Sequence, residues 1–206
     1  MLHKTMESPA VAAAPPVTLE GAVEAFMRAA GMPEDEHTAD TPRRVAKAWR
    51  HRLAGYEADP RAHLERVFPV SGSPGIVIVS GIQFASTCAH HLLPITGVAT
   101  VAYRPDEQDG LVVGLSKLSR LFDGYARRLQ VQEQLGSQTV DSLVEVLRPV
   151  GAAAVISAEH GCMTMRGVQQ PGTLTTTVAT GGQWCAGHPD MEWVLGEHWR
   201  SPRLAK

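Results

Sequence analysis

The amino-acid sequence predicts a single α+β domain. Before about residue 70 the apolar side chains recur at helical spacing, whereas from residue 75 the segments are rich in β-branched residues and partly alternate. Helical spacing returns near the middle of the chain, and further strand-like segments follow it. Because residues 18–182 contain neither an internal repeat nor a linker, one mixed domain is the simplest arrangement.

Two helices are predicted in an N-terminal helical part that covers about residues 18–70. The first runs from 18 to 31, with Thr18 as its cap and Gly31 at its end. The second begins in DTPRRVAKAW, where Thr41 is the predicted cap. Residues 1–17 are interrupted by prolines and lack the apolar segment of a signal peptide, so we expect a flexible tail and a cytoplasmic protein.

The second part, about residues 71–206, is predicted to contain the sheet. Strands are expected in GIVIVSGIQFAST (75–87), ITGVATVAYRP (95–105), LVVGL (111–115), AAAVISAEHGCM (152–163) and TLTTTVATGG (173–182). Helices are expected in LSKLSRLFDGYARRLQ (115–130) and TVDSLVEVLRP (139–149). The segment after residue 183 holds three of the four Trp residues, and its pattern does not assign it to an element.

The composition argues against several classes of partner. The chain is 44% hydrophobic and 19% charged, with a formal net charge of -2, which does not favour nucleic acid or a membrane surface. No apolar run approaches the roughly 20 residues that span a bilayer. Three cysteines cannot all pair within one chain, so reduced thiols with metal-binding or catalytic roles are expected.

The segment STCAHHLLP carries the first candidate metal ligands. Cys88 and His91 form a Cys-x-x-His pair, and Cys162 in EHGCM could supply a third ligand, which leaves a tetrahedral position open for catalysis. His90 and His160 would then remain free for proton transfer. On spacing alone, buried structural cysteines and hydrogen-bonded histidines explain the pattern equally well.

A second Cys-x-x-His pair lies in CAGH. Cys185 and His188 have the same spacing, but they stand in a Gly- and Pro-rich segment without a spare histidine beside them. The sequence therefore disfavours them as metal ligands.

Basic residues at a predicted helix start indicate an anion site. Ser116, Lys117 and Arg120 follow Gly114, where free backbone N–H groups and the helix dipole favour negative charge. Other basic side chains that could join them are Arg166, Arg44 and Lys47. Solvated surface charges are the competing interpretation for each of them.

The segment RRLQVQEQL contains Gln132 beside Glu133. A carboxylate next to an amide can read the donor edge of a base such as guanine. A polar junction between two helices is the alternative, and residue chemistry alone leaves both open.

Five motifs together resemble the GTP cyclohydrolase I family. They appear in that family's order and approximate spacing, and they cover about residues 40–180. The motifs are TPRRVAKAW, STCAHHLLP, GLSKLSRL, RRLQVQEQL and EHGCMTMRGV.

The resemblance implies a role for each candidate. The zinc ligands, with one ion per subunit, would be Cys88, His91 and Cys162, and the catalytic residues would be His90, His160 and Ser116. Glu133 would anchor the guanine with Gln132 nearby. The triphosphate would be held by Lys117, Arg120 and Arg166, with Arg44 and Lys47 from another subunit.

The family also implies a fold, an assembly and a reaction. The fold would be the tunnelling fold, an antiparallel sheet with helices packed on one face, assembled around a barrel into a homodecamer with active sites between subunits. The reaction would convert GTP and water into 7,8-dihydroneopterin triphosphate and formate, the first step of pterin, folate-type or deazapurine biosynthesis.

Departures from the family pattern raise one alternative to the full reaction, a specialised paralogue, and a second alternative is a non-catalytic family member. Ala89 stands where the family has Glu, Gly81 stands where it has Asp, and the C-terminal segment diverges. A specialised paralogue would stop once the purine imidazole ring is opened. A non-catalytic nucleotide-binding subunit would be expected to lose metal ligands, yet Cys88, His91 and Cys162 are present.

Overall fold

The computed structural model describes residues 17–201 and Leu204. Its internal contacts divide the chain into two compact units, residues 1–50 and 51–206. The predicted flexible tail lies outside the described residues except for Val17. In the described part, no helix is both long and apolar enough to cross a membrane.

The first unit contains helix α1 (Leu19–Ala29) and most of α2 (Thr41–Arg52). Thr18 caps α1 as predicted, because its hydroxyl accepts a hydrogen bond from the Gly21 N–H at 3.1 Å. The prediction for α2 was wrong by one residue. The Arg44 N–H bonds to the Asp40 carbonyl at 3.1 Å, so Asp40 occupies the cap position and Thr41 is already helical.

The second unit is α+β, as the sequence predicts. After two 3₁₀ turns its elements are, in chain order, β1 (Val67–Val70), β2 (Val77–Cys88), β3 (Pro94–Arg104), β4 (Gly110–Val113), α3 (Leu115–Ala126), β5 (Leu129–Gln130), α4 (Gln132–Leu147), β6 (Gly151–His160), α5 (Gly161–Thr164), β7 (Thr175–Gly182) and α6 (Pro189–Trp199). The sequence patterns missed β1, β5, α5 and α6. They also placed the start of α4 seven residues too late, since the polar QEQLGSQ segment carries a weak apolar signal.

The main sheet has five strands in the order β5-β2-β3-β6-β7. Every neighbouring pair is antiparallel except β2 and β5, which pair in parallel over two residues. The predicted strand LVVGL does not join this sheet: β4 pairs with β1 in a separate two-stranded sheet. Gly81 lies at a bulge in β2 with φ +74°, a conformation that suits glycine better than the Asp that the resemblance leads us to expect there.

Helices cover both faces of the main sheet, so the expectation of helices on one face was wrong. One core lies under α3 and α4 and takes alternate residues of β6, including Ala152, Ala154 and Ile156. The residues between them, Ala153 and Val155, face a second core that contains Trp184, Met191 and Val194 of the C-terminal segment. Burial on both faces explains why GAAAVISA reads as a continuous small and apolar run.

Helix α6 is fixed to the sheet by polar contacts at each end. At its start the Asp190 carboxylate accepts hydrogen bonds from Arg104 Nε at 2.7 Å and from Trp184 Nε1 at 3.0 Å. The Arg104 guanidinium holds the pKa of Asp190 below its usual value. At its other end, fully buried His198 lies 2.9 Å from the hydroxyls of Thr100 and Ser157.

Candidate metal centre and active site

The candidate site lies where several strand ends meet. Strand β2 ends at Cys88 and pairs there with Gln130, and the neighbouring Thr87 pairs with Pro94 at the start of β3. His160, the last residue of β6, pairs with Ile95. The register therefore brings the Cys88 loop, the end of β6 and the start of α4 to one end of the sheet.

A tight turn carries the Cys-x-x-His pair. The Cys88 carbonyl accepts from the Leu92 N–H at 2.9 Å, and the Cys88 N–H donates to the Leu93 carbonyl at 2.8 Å. Leu92 has φ +57°, an uncommon conformation for a residue with a branched side chain. The turn projects residues 89–92 from the sheet, and all four side chains are exposed.

Arg52 anchors the strand that leads into this turn. Its Nη2 donates to the Ser86 carbonyl at 2.6 Å and to the Thr87 hydroxyl at 2.8 Å, and its Nε reaches the same hydroxyl at 3.1 Å. Ser86 and Thr87 are each 1% exposed. Arg52 therefore holds the backbone immediately before Cys88 in place.

Three possible ligand atoms form a compact group on the turn. The atoms offered by Cys88, His90 and His91 lie within 4.8 Å of one another, and Cys88 Sγ is 3.9 Å from His91 Nδ1. Arg166 Nη1 lies 2.8 Å from His91 Nε2. Because a guanidinium only donates, Nε2 accepts in this contact; a metal ion on Nδ1 would move the ring proton to Nε2 and displace Arg166.

Cys162 lies beside this group but outside the 4.8 Å set. It stands on α5, a single helical turn, and not on the predicted strand. Burial raises the pKa of the Cys162 thiol, and the neighbouring Cys88 raises it further. The two thiols are thus near enough to interact, and both are free cysteines.

The donor chemistry fits a zinc ion. Two thiols and an imidazole are ligands that zinc prefers, and about 2.3 Å to sulfur and about 2.0 Å to nitrogen would set those atoms about 3.5 Å apart. The observed 3.9 Å between Cys88 Sγ and His91 Nδ1 needs only a small adjustment. Cys88 is 4% exposed, which shields one side of such a site.

His160 lies two residues before Cys162 and contacts the start of α4. Its Nε2 is 2.7 Å from Gln132 Oε1. Burial lowers the pKa of His160, and the nearby Glu133 carboxylate opposes that effect. Glu133 itself is exposed in the first turn of α4.

The other predicted site residues are on helices α3 and α2. Ser116, Lys117 and Arg120 are on the first two turns of α3, whose Gly114 cap makes no side-chain hydrogen bond. The Lys117 N–H donates to the Gly114 carbonyl at 2.8 Å, and the N–H groups of Leu115 and Ser116 have no capping side chain. None of the three makes a side-chain hydrogen bond within the described ranges. Arg44 and Lys47 are exposed residues of α2 in the first unit, and Arg44 lies 3.2 Å from Asp40.

In the second Cys-x-x-His pair, the histidine caps a helix. Cys185 is exposed, while His188 Nδ1 accepts from the Asp190 N–H at 3.2 Å and caps α6. Ala89 is exposed, and its N–H donates to the Gln130 carbonyl at 2.9 Å.

Sequence reasoning missed Arg52 and Leu92. Arg52 acts on residues 34 and 35 positions away, and no local pattern marks such a contact. The positive φ of Leu92 has no signal either, since leucine rarely adopts it.

Fold and site together describe an α+β protein in which thiol and imidazole groups that could hold a metal ion meet at one end of the sheet. The family model for GTP cyclohydrolase I matches residues 19–195. The chain belongs to the GTP cyclohydrolase I family, as its motifs indicate, and it is an enzyme of that family.

Sequence relatives agree with this assignment. A GTP cyclohydrolase 1 from Bacillus cytotoxicus is 48% identical over 165 residues, which cover 80% of this chain and 86% of the relative. A GTP cyclohydrolase 1 from Bacillus mycoides is 47% identical with the same coverage. The crystal structure of apo archaeosine synthase QueF-Like aligns with 55% of this chain and with 99% of its own chain, at 17% identity and a TM-score of 0.43.

Proposed function

We propose that the protein is a zinc-dependent enzyme that converts GTP and water into 7,8-dihydroneopterin triphosphate and formate. The observation that carries the proposal is the meeting of two thiols and three imidazoles at one end of the sheet, in a chain of this family. The neighbouring free thiols of Cys88 and Cys162 also argue against a non-catalytic subunit, because such a subunit does not need metal ligands.

The zinc ligands in this proposal are Cys88, His91 and Cys162. When bound, zinc would lower the pKa of water toward about 7, which makes a nucleophile available at neutral pH. Because all three cysteines are free, the proposal also fits a reducing compartment such as the cytoplasm.

Proton transfers are assigned to the two remaining histidines. His160 would protonate the imidazole ring nitrogen of the purine as the ring opens, and exposed His90 would assist. The lowered pKa of His160 keeps its ring neutral near pH 7, so it can first accept a proton and then return it. Ser116 would act later, in the rearrangement of the ribose.

Substrate binding would use charges of both signs. Glu133, exposed at the start of α4, would accept hydrogen bonds from the N1–H and exocyclic amine of guanine. The uncapped start of α3 favours phosphate, and Lys117 and Arg120 add full charges there. Arg166, next to His91, would bridge the phosphates and the metal centre, and Arg44 and Lys47 would join from another subunit.

Assembly into a homo-oligomer of the tunnelling-fold type is part of the proposal. Strand β7 forms one edge of the main sheet. At the opposite edge β5 pairs with β2 only at Thr87 and Cys88, so most of the outer edge of β2 is open. Long open edges are sites of pairing with another chain. Edge-to-edge pairing between copies would close a barrel, and a homodecamer would place the active sites between subunits.

The test is turnover of GTP by purified protein of measured zinc content. Formate and the purine-derived product would be followed by mass spectrometry, with Cys162→Ala as the site variant and Cys185→Ala, an exposed cysteine, as its control. Dihydroneopterin triphosphate with equimolar formate, lost only in Cys162→Ala, supports the proposal. A ring-opened product would indicate a paralogue that stops early, and zinc retention by Cys162→Ala would contradict the ligand assignment.

A further inference from the structure

Gln132 is a buried glutamine whose amide orientation is set by its surroundings. It is the first residue of α4 and is 2% exposed. Its Nε2 lies 3.1 Å from the Ile156 carbonyl, 2.9 Å from the Thr175 carbonyl and 3.1 Å from the Thr177 hydroxyl. Because carbonyl oxygens only accept hydrogen bonds, the group facing β6 and β7 must be the NH₂ end of the amide.

This orientation determines the state of His160. The other end of the amide is the oxygen, and it lies 2.7 Å from His160 Nε2. An amide oxygen cannot donate, so the Nε2 of His160 must carry a hydrogen. In the neutral ring the lone pair is then on Nδ1, which is the atom left to accept or return a proton.

We propose that Gln132 is a positioning residue that holds His160 in the Nε2–H tautomer and fixes its ring orientation. The inference rests on the proposed function, in which His160 transfers protons. It replaces the expectation that Gln132 binds the nucleotide, because both N–H groups of its amide are already engaged by the sheet. Strands β6 and β7 thus orient the amide of Gln132, and the amide in turn orients the imidazole ring of His160.

The first experiment compares Gln132→Met with Gln130→Met in zinc-loaded protein. Gln130 is an equally buried glutamine, 2% exposed, whose amide donates to the Tyr125 carbonyl and to Gln138 and does not contact a histidine. Loss of an orienting partner should lower kcat of Gln132→Met about 10- to 100-fold while KM for GTP changes less than about threefold. Gln130→Met should retain kcat. A raised KM with retained kcat, or no change in either, would overturn the proposal.

The second experiment reads the tautomer directly and does not depend on a folded variant. Long-range ¹H–¹⁵N NMR of zinc-loaded wild-type protein, labelled at histidine side chains and assigned with His160→Asn, distinguishes a protonated from an unprotonated ring nitrogen. Protonated Nε2 with unprotonated Nδ1 is expected, and the reverse pattern would refute the inference. Wild-type protein with this tautomer but without GTP turnover would count against the proposed function alone.

Discussion

Gly161 separates His160 from Cys162, and its replacement by alanine should disturb both at once. An added Cβ would lie 3.0 Å from Pro94 Cδ, 3.1 Å from the Pro94 carbonyl oxygen and 3.3 Å from Leu93 Cβ. All three contacts are shorter than the ordinary 3.4–4 Å, and Pro94 begins β3, so relief requires a shift of a few tenths of an ångström at the strand end.

Overpacking of this kind costs about 1–3 kcal/mol. For a chain of this length it corresponds to a melting temperature lower by about 2–12 °C. Because the shift falls between a proposed metal ligand, Cys162, and the histidine proposed to transfer protons, His160, we also expect zinc content and kcat to fall together. Thermal melting, zinc analysis and steady-state turnover of GTP measure the three effects.

Gly196→Ala is the matched control. Gly196 lies within α6, and its added Cβ would have no neighbour within 4 Å among the described residues. Alanine should therefore stabilise that helix by about 0.5–1 kcal/mol and leave activity unchanged. If Gly161→Ala melted like the wild type with full zinc and kcat, the account of packing at this strand end would be refuted.

Three further changes test other parts of the molecule. Burial lowers the pKa of His198 in the folded chain, so the unfolded chain takes up a proton at this histidine first as the pH falls. Stability that depends on neutral His198 is therefore fully present above about pH 6.5 and is lost as the pH falls below it. Between pH 7.0 and 5.5 the wild type should therefore lose more stability than His198→Gln, seen as a larger drop in melting temperature; equal losses would contradict this. Arg104→Met leaves the Asp190 carboxylate largely buried without its partner and should cost about 2–3 kcal/mol in denaturant unfolding, whereas an unchanged midpoint would show that α6 does not depend on the pair. Arg120→Ala should raise KM for GTP about 10-fold or more, while Arg200→Ala, an exposed arginine paired with Glu197, should not; equal KM values would remove Arg120 from the phosphate site.

The sequence predicts the fold class because its strongest patterns are local. Residues 77–88 and 94–104 are rich in β-branched residues, and both form long strands. Helix α6 escaped prediction since its buried apolar residues, Met191 and Val194, are few and stand among Trp, Gly and acidic residues. Strand β5 has only two residues, too few for any period to show.

In the candidate site, too, the local features could be predicted from the sequence, and the contacts between distant segments could not. The Cys-x-x-His spacing is local, and it predicted that Cys88 and His91 would lie together. The nearness of Cys162 depends on strand pairing across more than 70 residues, so the sequence could offer Cys162 as a third ligand but had no spacing that fixed its distance from Cys88. The contact between Gln132 and His160 had no sequence signal, because it depends on how α4 meets β6 and β7.

The pairing of Ile95 with His160 makes the two thiols a reporter of correct folding. A slip of β6 by one residue against β3 would move Cys162 by about 3.3 Å along the strand and turn neighbouring side chains to the opposite face. The thiols could then no longer share an ion. If Cys88 and Cys162 hold zinc as proposed, zinc uptake would therefore discriminate between chains with native and shifted strand alignment.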